Sequence, residues 1–174
     1  MKLKQHIICL IFGLMSGTTF SQTTVPMTLP VVTLMDIEPA GNFTLNFTAP
    51  TEAGQALTLP AANTTKWVNY TSAIAPGGLT RRITASINAP IAGVNIRVQA
   101  AAASGAGGGT LGTSSGLVTL STTAATIITG IGGAFTGNGA NNGHMLTISL
   151  SVSSYANLSA RINTPVIITY TITE

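Results

Sequence analysis

Cysteine and charged residues are scarce in this chain. The single cysteine, Cys9, lies near the N-terminus, and only 6% of the residues are Asp, Glu, Lys or Arg, against roughly 25% in an average soluble domain. A domain formed by the residues after Cys9 therefore has no disulfide and depends on a hydrophobic core for its stability. Its surface must be kept in solution by Thr, Ser, Asn and main-chain groups.

The shortage of charge also excludes nucleic acid as a partner. From residue 22 onward five basic residues stand against four acidic ones, a formal surplus of one positive charge. Binding to a phosphate backbone needs a basic patch or stripe, which so few scattered residues do not form. We therefore expect no nucleic-acid partner.

Residues that carry catalysis or bind metals are equally few. After residue 21 the chain has one histidine, no cysteine and four carboxylates, too small a set for convergent acid–base or nucleophilic chemistry. We interpret His144 as a residue at the start of a strand rather than as a base or ligand. Asp36 and Glu38 would share one face of a strand and are interpreted as a solvated edge rather than a cation site. The sequence predicts no enzyme, no cofactor and no metal site.

One apolar run stands out near the N-terminus. Residues 6–15 follow Lys2 and Lys4 and precede several small residues. This order is typical of a bacterial secretory signal peptide, and the run is shorter than the about 20 residues that a transmembrane helix needs. We predict that residues 1–21 are cleaved and that the remainder is exported to the cell surface or beyond it.

The rest of the chain carries the pattern of β-strands. Apolar and polar residues alternate with period two, which predicts strands with one buried face, at 42–48, 94–100, 144–152 and 166–173. Three further segments rich in β-branched residues are bounded by Pro, Gly or Asn, at 65–72, 79–87 and 116–121. About seven strands result, and they predict an all-β, Ig-like two-sheet β-sandwich over residues 36–174.

The segments between these strands are interpreted as connections. Residues 100–116 and 130–143 are rich in Gly with Ala, Ser or Asn and are predicted to be flexible loops. Their glycine runs lack the Lys of a phosphate-binding loop and the Asp of a calcium-binding repeat. Residues 122–131 have room for one short helical turn.

The segment from residue 22 to residue 35 precedes the domain and has its own alternation. Val25, Met27, Leu29 and Val31 form one apolar edge of an extended peptide. Such a peptide needs a groove to cover that edge. It could pack on its own domain, or it could complete the sheet of a neighbour by strand addition, with main-chain bonds for affinity and alternate side chains in pockets.

Two other features have competing interpretations. Trp67 and Tyr70 could form an aromatic platform for a sugar, although packing in the core is the favoured role. Arg81 and Arg82 are adjacent, so they would point to opposite faces of a strand. We interpret them as edge charges that discourage wrong strand pairing.

The closing segment carries a resemblance to a known family. Residues 163–173, Asn-Thr-Pro-Val-Ile-Ile-Thr-Tyr-Thr-Ile-Thr, resemble the final strand of bacterial fimbrial subunits and of the spore coat protein U-like family. The signal peptide, the alternating extension and the chain length are similar too. The resemblance implies an incomplete Ig-like fold whose missing strand comes from the extension of the next subunit, with Val25, Met27, Leu29 and Val31 filling the pockets.

That resemblance implies a homopolymeric surface fibre, with a periplasmic chaperone and an outer-membrane assembly protein as further partners. Members of the family often carry a disulfide, which this chain lacks, and Pro26 and Pro30 each remove a ladder donor from the supposed donor strand. The first hypothesis for function is therefore a structural subunit of a bacterial surface fibre. The alternative is a monomeric secreted binding module, with glycans as its ligand class.

Overall fold

The computed structural model describes residues 22–174, so the predicted signal peptide lies outside the described residues. Nine strands follow one another along the chain: β1 (Val32–Glu38), β2 (Asn63–Ala73), β3 (Arg81–Ile87), β4 (Val94–Ala100), β5 (Gly108–Ser114), β6 (Leu117–Thr119), β7 (Ala125–Phe135), β8 (His144–Val152) and β9 (Ile168–Thr173). A single 3₁₀ turn at Tyr155–Asn157 is the only helical element within residues 22–174. None of the described part forms a helix capable of crossing a membrane.

The strands pair antiparallel throughout the described chain. Their order is β6-β4-β8-β2-β7-β3-β9, while β1 adds to the outer edge of β2 and β5 adds to β7. The long strand β2 pairs with β8 at its start and with β7 near its end, at Thr71 and Ser72. It therefore links the group β6, β4 and β8 to the group β7, β3 and β9.

One hydrophobic core lies between these two groups. Inward side chains of both contribute to the same cluster: Ile96, Val98, Leu146 and Ile148 from the first group, Ile83, Ile127, Ile128 and Ile131 from the second, and Val68 from β2. Fully burying one such aliphatic side chain stabilises the fold by about 1.5–3 kcal/mol. The prediction of an all-β, sandwich-like fold is confirmed, with nine strands instead of about seven.

Two glycine-rich regions that were predicted as flexible loops contain strands. Strand β5 lies within residues 100–116, and β7 extends into residues 130–143 and also replaces the suggested helical turn. Gly109 adopts φ 88°, and a Cβ at this position would overlap the carbonyl of Gly133. The glycines therefore allow the two backbones to approach closely, which composition alone does not distinguish from flexibility.

The N-terminal extension is shorter than predicted. Strand pairing with β2 already begins at Val32, which lies opposite Ala73, so the sheet includes four residues that had been assigned to the extension. Residues 22–31 form no strand and are exposed throughout. We call residues 22–31 the arm.

The segment 42–48 alternates as predicted but belongs to no sheet. Phe43, Leu45 and Phe47 are half-buried on one side, while Thr48 pairs with Thr58 in an isolated bridge. Phe43 and Leu45 pack against the core cluster. The alternation therefore specified the buried face correctly, but the described chain supplies no strand to pair with this segment.

Candidate functional site: an open apolar groove

A groove with a volume of about 1350 Å³ lies between residues 42–48 and the C-terminal segment that leads into β9. Phe43, Leu45 and Phe47 line one wall, and Val166, Ile168 and Tyr170 line the other. Ile96, Ile148 and Leu150 also line it, which places the groove against the hydrophobic core. A groove with apolar side chains on both walls suits an extended peptide with an apolar edge.

The C-terminal wall of the groove presents an open strand edge. Strand β9 pairs with β3 through one edge, and within residues 22–174 no strand pairs with the other edge. The main chain of Ile167 bonds towards β3: its N–H donates to Asn88 Oδ1 at 2.8 Å, and its carbonyl accepts from Asn88 N–H at 3.1 Å. Because successive residues of a strand direct their main-chain groups to opposite edges, Ile168, Tyr170 and Ile172 direct theirs away from β3.

Tyr170 adds an unsatisfied side chain to this wall. Its hydroxyl is buried and has no hydrogen-bond partner within the described chain. Burial raises the pKa of Tyr170 to about 12, because the phenolate would be removed from water. A buried polar group without a partner is uncommon in a finished fold, so the groove contains unused hydrogen-bonding capacity.

A buried lysine positions the opposite wall. Lys66 of β2 is buried, and its Nζ donates to the carbonyls of Pro39 at 2.5 Å and Gly41 at 2.7 Å. These bonds fix the chain where it leaves β1 and enters residues 42–48. Lys66 alternates in β2 with residues of the other face and shares its own face with the buried Val68 and Tyr70. This alternation in the sequence already indicates that the Lys66 side chain points inward.

The arm leaves the same domain with its apolar edge uncovered. Val25, Met27, Leu29 and Val31, the predicted pocket-filling residues, are 62–81% exposed. Contiguous exposed apolar side chains of this kind usually mark an interaction surface. The structure therefore places an uncovered apolar edge and an uncovered apolar groove on one chain.

Arg81 fixes the point at which the arm leaves the domain, which the interpretation as an edge charge missed. Its side chain is 3% exposed, and its Nη1 donates to Val32 O at 2.7 Å and to Ser72 Oγ at 2.8 Å. Arg82 is exposed, as expected. Arg81 shares its face of β3 with the buried Ile83, so the alternation already indicated an inward arginine.

Trp67 and Tyr70 do not form a joint surface. They are three residues apart in β2, so alternation places them on opposite faces, and Tyr70 is buried. The Tyr70 ring stacks on His144 with centroids 5.8 Å apart, and its hydroxyl donates to the carbonyl of Leu111. Burial raises the pKa of Tyr70. Its ring therefore offers no exposed face to a sugar.

His144 lies at the start of β8, as predicted, and is fully buried. Its Nδ1 lies 2.8 Å from Ala101 O, and its Nε2 lies 3.0 Å from Leu111 O and 3.0 Å from Tyr70 Oη. These contacts tie Ala101, which directly follows β4, and Leu111 of β5 to the buried ring of His144.

The described residues contain no group of three or more His, Cys, Asp or Glu side chains arranged to hold a metal ion. Comparison of the chain with protein-family models, with curated proteins and with solved structures finds no match in any of the three. The groove, the arm and their chemistry are therefore the basis for a functional conclusion.

Proposed function

We propose that this protein is a secreted structural subunit of a bacterial surface fibre, in which the arm of one copy occupies the groove of the next. The observation that carries the proposal is the presence, on one chain, of an apolar arm that no other part of residues 22–174 covers and an apolar groove with an open strand edge. The arm would supply alternate apolar side chains for the pockets of the groove and a main chain to pair with the open edge of β9. The groove would cover the apolar edge of the arm.

The two parts match in length and in chemistry. The arm segment Val25–Val31 and the wall segment Val166–Ile172 each contain seven residues, so both span about 23 Å when extended. Burying four side chains of the size of Val, Leu and Met would contribute on the order of 6–12 kcal/mol before the entropy of association is subtracted. This gain is of the same order as the cost of association, so the main-chain bonds to the open edge of β9 are needed as well.

Donation between copies fits the path of the chain better than donation within one copy. From Val32 to Glu38 the chain pairs with β2, and the Arg81 side chain holds the Val32 carbonyl by a hydrogen bond. The arm extends from there without contacting its own groove and is exposed along its whole length. A contact between two different surfaces of identical chains repeats from copy to copy, and it forms an open filament wherever the rotation between copies does not close a ring.

The proposal includes partners that act before assembly. An open strand edge beside an apolar groove is a hazard for aggregation while the subunit is monomeric. A periplasmic chaperone that covers the groove and an outer-membrane assembly protein that exchanges it for an arm would remove this hazard. The subunit would then be located at the cell surface or outside the cell.

The test is removal of the arm. Deleting residues 22–31 should abolish filaments seen by electron microscopy and leave the β-sheet circular dichroism unchanged, because the arm belongs to no strand. A matched variant keeps the arm and changes Val25, Met27, Leu29 and Val31 to Thr, which retains the main chain but removes the apolar edge. This variant should also fail to assemble.

Filaments that persist in both variants would refute strand donation. If the unaltered protein remains monomeric and binds glycans in a manner lost on Trp67→Ala, the alternative of a secreted binding module is correct instead. Trp67 is half-buried in β2, so the same variant needs an unfolding curve to separate lost binding from lost stability.

A further inference from the structure

The two prolines of the arm both lie at even-numbered positions, and its apolar residues all lie at odd-numbered positions. Pro26 and Pro30 alternate with the apolar set Val25, Met27, Leu29 and Val31, and each of these four residues keeps its N–H. In a strand, residues of one parity direct their main-chain groups to one edge, and residues of the other parity direct theirs to the opposite edge. One edge of the arm is therefore free of proline, and the other lacks two donors.

The open edge of β9 selects between these two edges of the arm. Ile168, Tyr170 and Ile172 face the interior and also direct their main-chain groups to the open edge. In an antiparallel pair, two residues that exchange hydrogen bonds lie opposite each other and share a face. Their partners in an inserted arm are therefore its inward-facing residues, which are the apolar residues that keep their N–H.

We propose, on the basis of the proposed function, that the inserted arm forms its main-chain ladder with β9 alone, antiparallel to it, and turns Pro26 and Pro30 towards residues 42–48. In a parallel alignment the hydrogen-bonding residues of the arm would be the outward-facing ones, so both prolines would stand against β9. The positions of the prolines thus determine the direction of the arm as well as the wall that it bonds.

The opposite wall suits a contact without a ladder. Residues 42–48 belong to no sheet, and Phe43, Leu45 and Phe47 present half-buried side chains to the groove. This wall contributes apolar packing, for which the missing donors of the prolines carry no penalty. The prolines also give a free arm one edge that cannot continue a ladder, which limits uncontrolled pairing between arms.

The test places new prolines at odd-numbered and at even-numbered positions of the arm, in the full-length mature protein. Met27→Pro removes a donor that the ladder with β9 uses, and Met27→Ala is its control for the lost side chain. Thr28→Pro removes a donor that faces residues 42–48, and Thr28→Ala is its control. Val25→Pro and Val25→Ala repeat the first comparison in case Met27→Ala alone prevents assembly.

The readout is the half-life of assembled filaments in urea. Filaments of Met27→Pro should dissociate at least about tenfold faster than those of Met27→Ala, because a ladder bond is lost and a carbonyl of β9 is left unpaired. Filaments of Thr28→Pro should stay within about threefold of Thr28→Ala, because no ladder bond is lost.

Equal losses at positions 27 and 28, each relative to its alanine control, would overturn the one-sided ladder. A larger loss for Thr28→Pro than for Met27→Pro would show the parallel direction and overturn it too. Either result leaves strand donation intact. Filaments that survive deletion of residues 22–31 would instead refute the proposed function itself, so the two failures are distinguishable.

Discussion

Replacing the buried guanidinium of Arg81 tests how the start of β1 is held. Arg81→Met keeps most of the aliphatic stem but removes the Nη1 donor shared by Val32 O at 2.7 Å and Ser72 Oγ at 2.8 Å. A third acceptor, Ala73 O, lies farther away at 3.4 Å. The change therefore breaks the bonds by which Arg81 of β3 holds the first residue of β1 and the end of β2.

The expected loss follows from these contacts. Hydrogen bonds to a charged group contribute about 1.5–3 kcal/mol each, and part of this is returned because the buried guanidinium no longer has to be desolvated. The ion pair with Glu174 adds little, since its atoms are 3.9 Å apart and Glu174 is 59% exposed. We expect Arg81→Met to lower the free energy of unfolding by about 2–4 kcal/mol.

Urea unfolding followed by circular dichroism measures this loss, in a background with Thr at the four apolar arm positions so that assembly does not interfere. Arg82→Met is the matched control, because Arg82 is the exposed neighbour on the same strand, and its loss should stay within about 0.5 kcal/mol. Amide exchange should also become faster at Val32, where β1 begins. Equal, small losses for both arginines would refute the structural role of Arg81.

Two further outcomes depend on burial and on backbone geometry. Burial raises the pKa of Tyr170 to about 12 from an ordinary value of 10, so its contribution to stability is complete below pH 10 and is lost as the pH rises from about 10 to about 12. The free energy of unfolding of Tyr170→Phe should therefore fall less steeply between pH 10 and pH 12 than that of the unaltered protein. Identical pH profiles for the two proteins would contradict the burial of Tyr170. Gly109→Ala should cost at least about 3 kcal/mol in urea unfolding, because φ 88° is strained for alanine and the new Cβ overlaps Gly133, whereas Gly139→Ala, at φ 85° in open space, should cost about 1 kcal/mol. Equal losses at the two glycines would show that β5 and β7 are not in close contact.

Much of the fold was predictable because period-two alternation is a local property. It located β4, β8 and β9 and identified their buried faces, while β-branched residues between turn residues located β2 and β3. The alternation also indicated that Arg81 points inward, because Arg81 lies on the same face of β3 as Ile83. Its charge had favoured the interpretation as an exposed residue on a strand edge. The strands β5 and β7 were missed in whole or in part because their glycines serve a long-range backbone contact that no local window contains.

The candidate site divides in the same way. The apolar edge of the arm was evident from Val25, Met27, Leu29 and Val31, and the absence of any disulfide after Cys9 follows from composition. Only the tertiary structure showed that, within residues 22–174, no strand pairs with residues 42–47 and β9 keeps an open edge beside them. The physical reason is that side-chain alternation specifies which face of a strand is buried, whereas the partner of each edge depends on how distant parts of the chain close on one another.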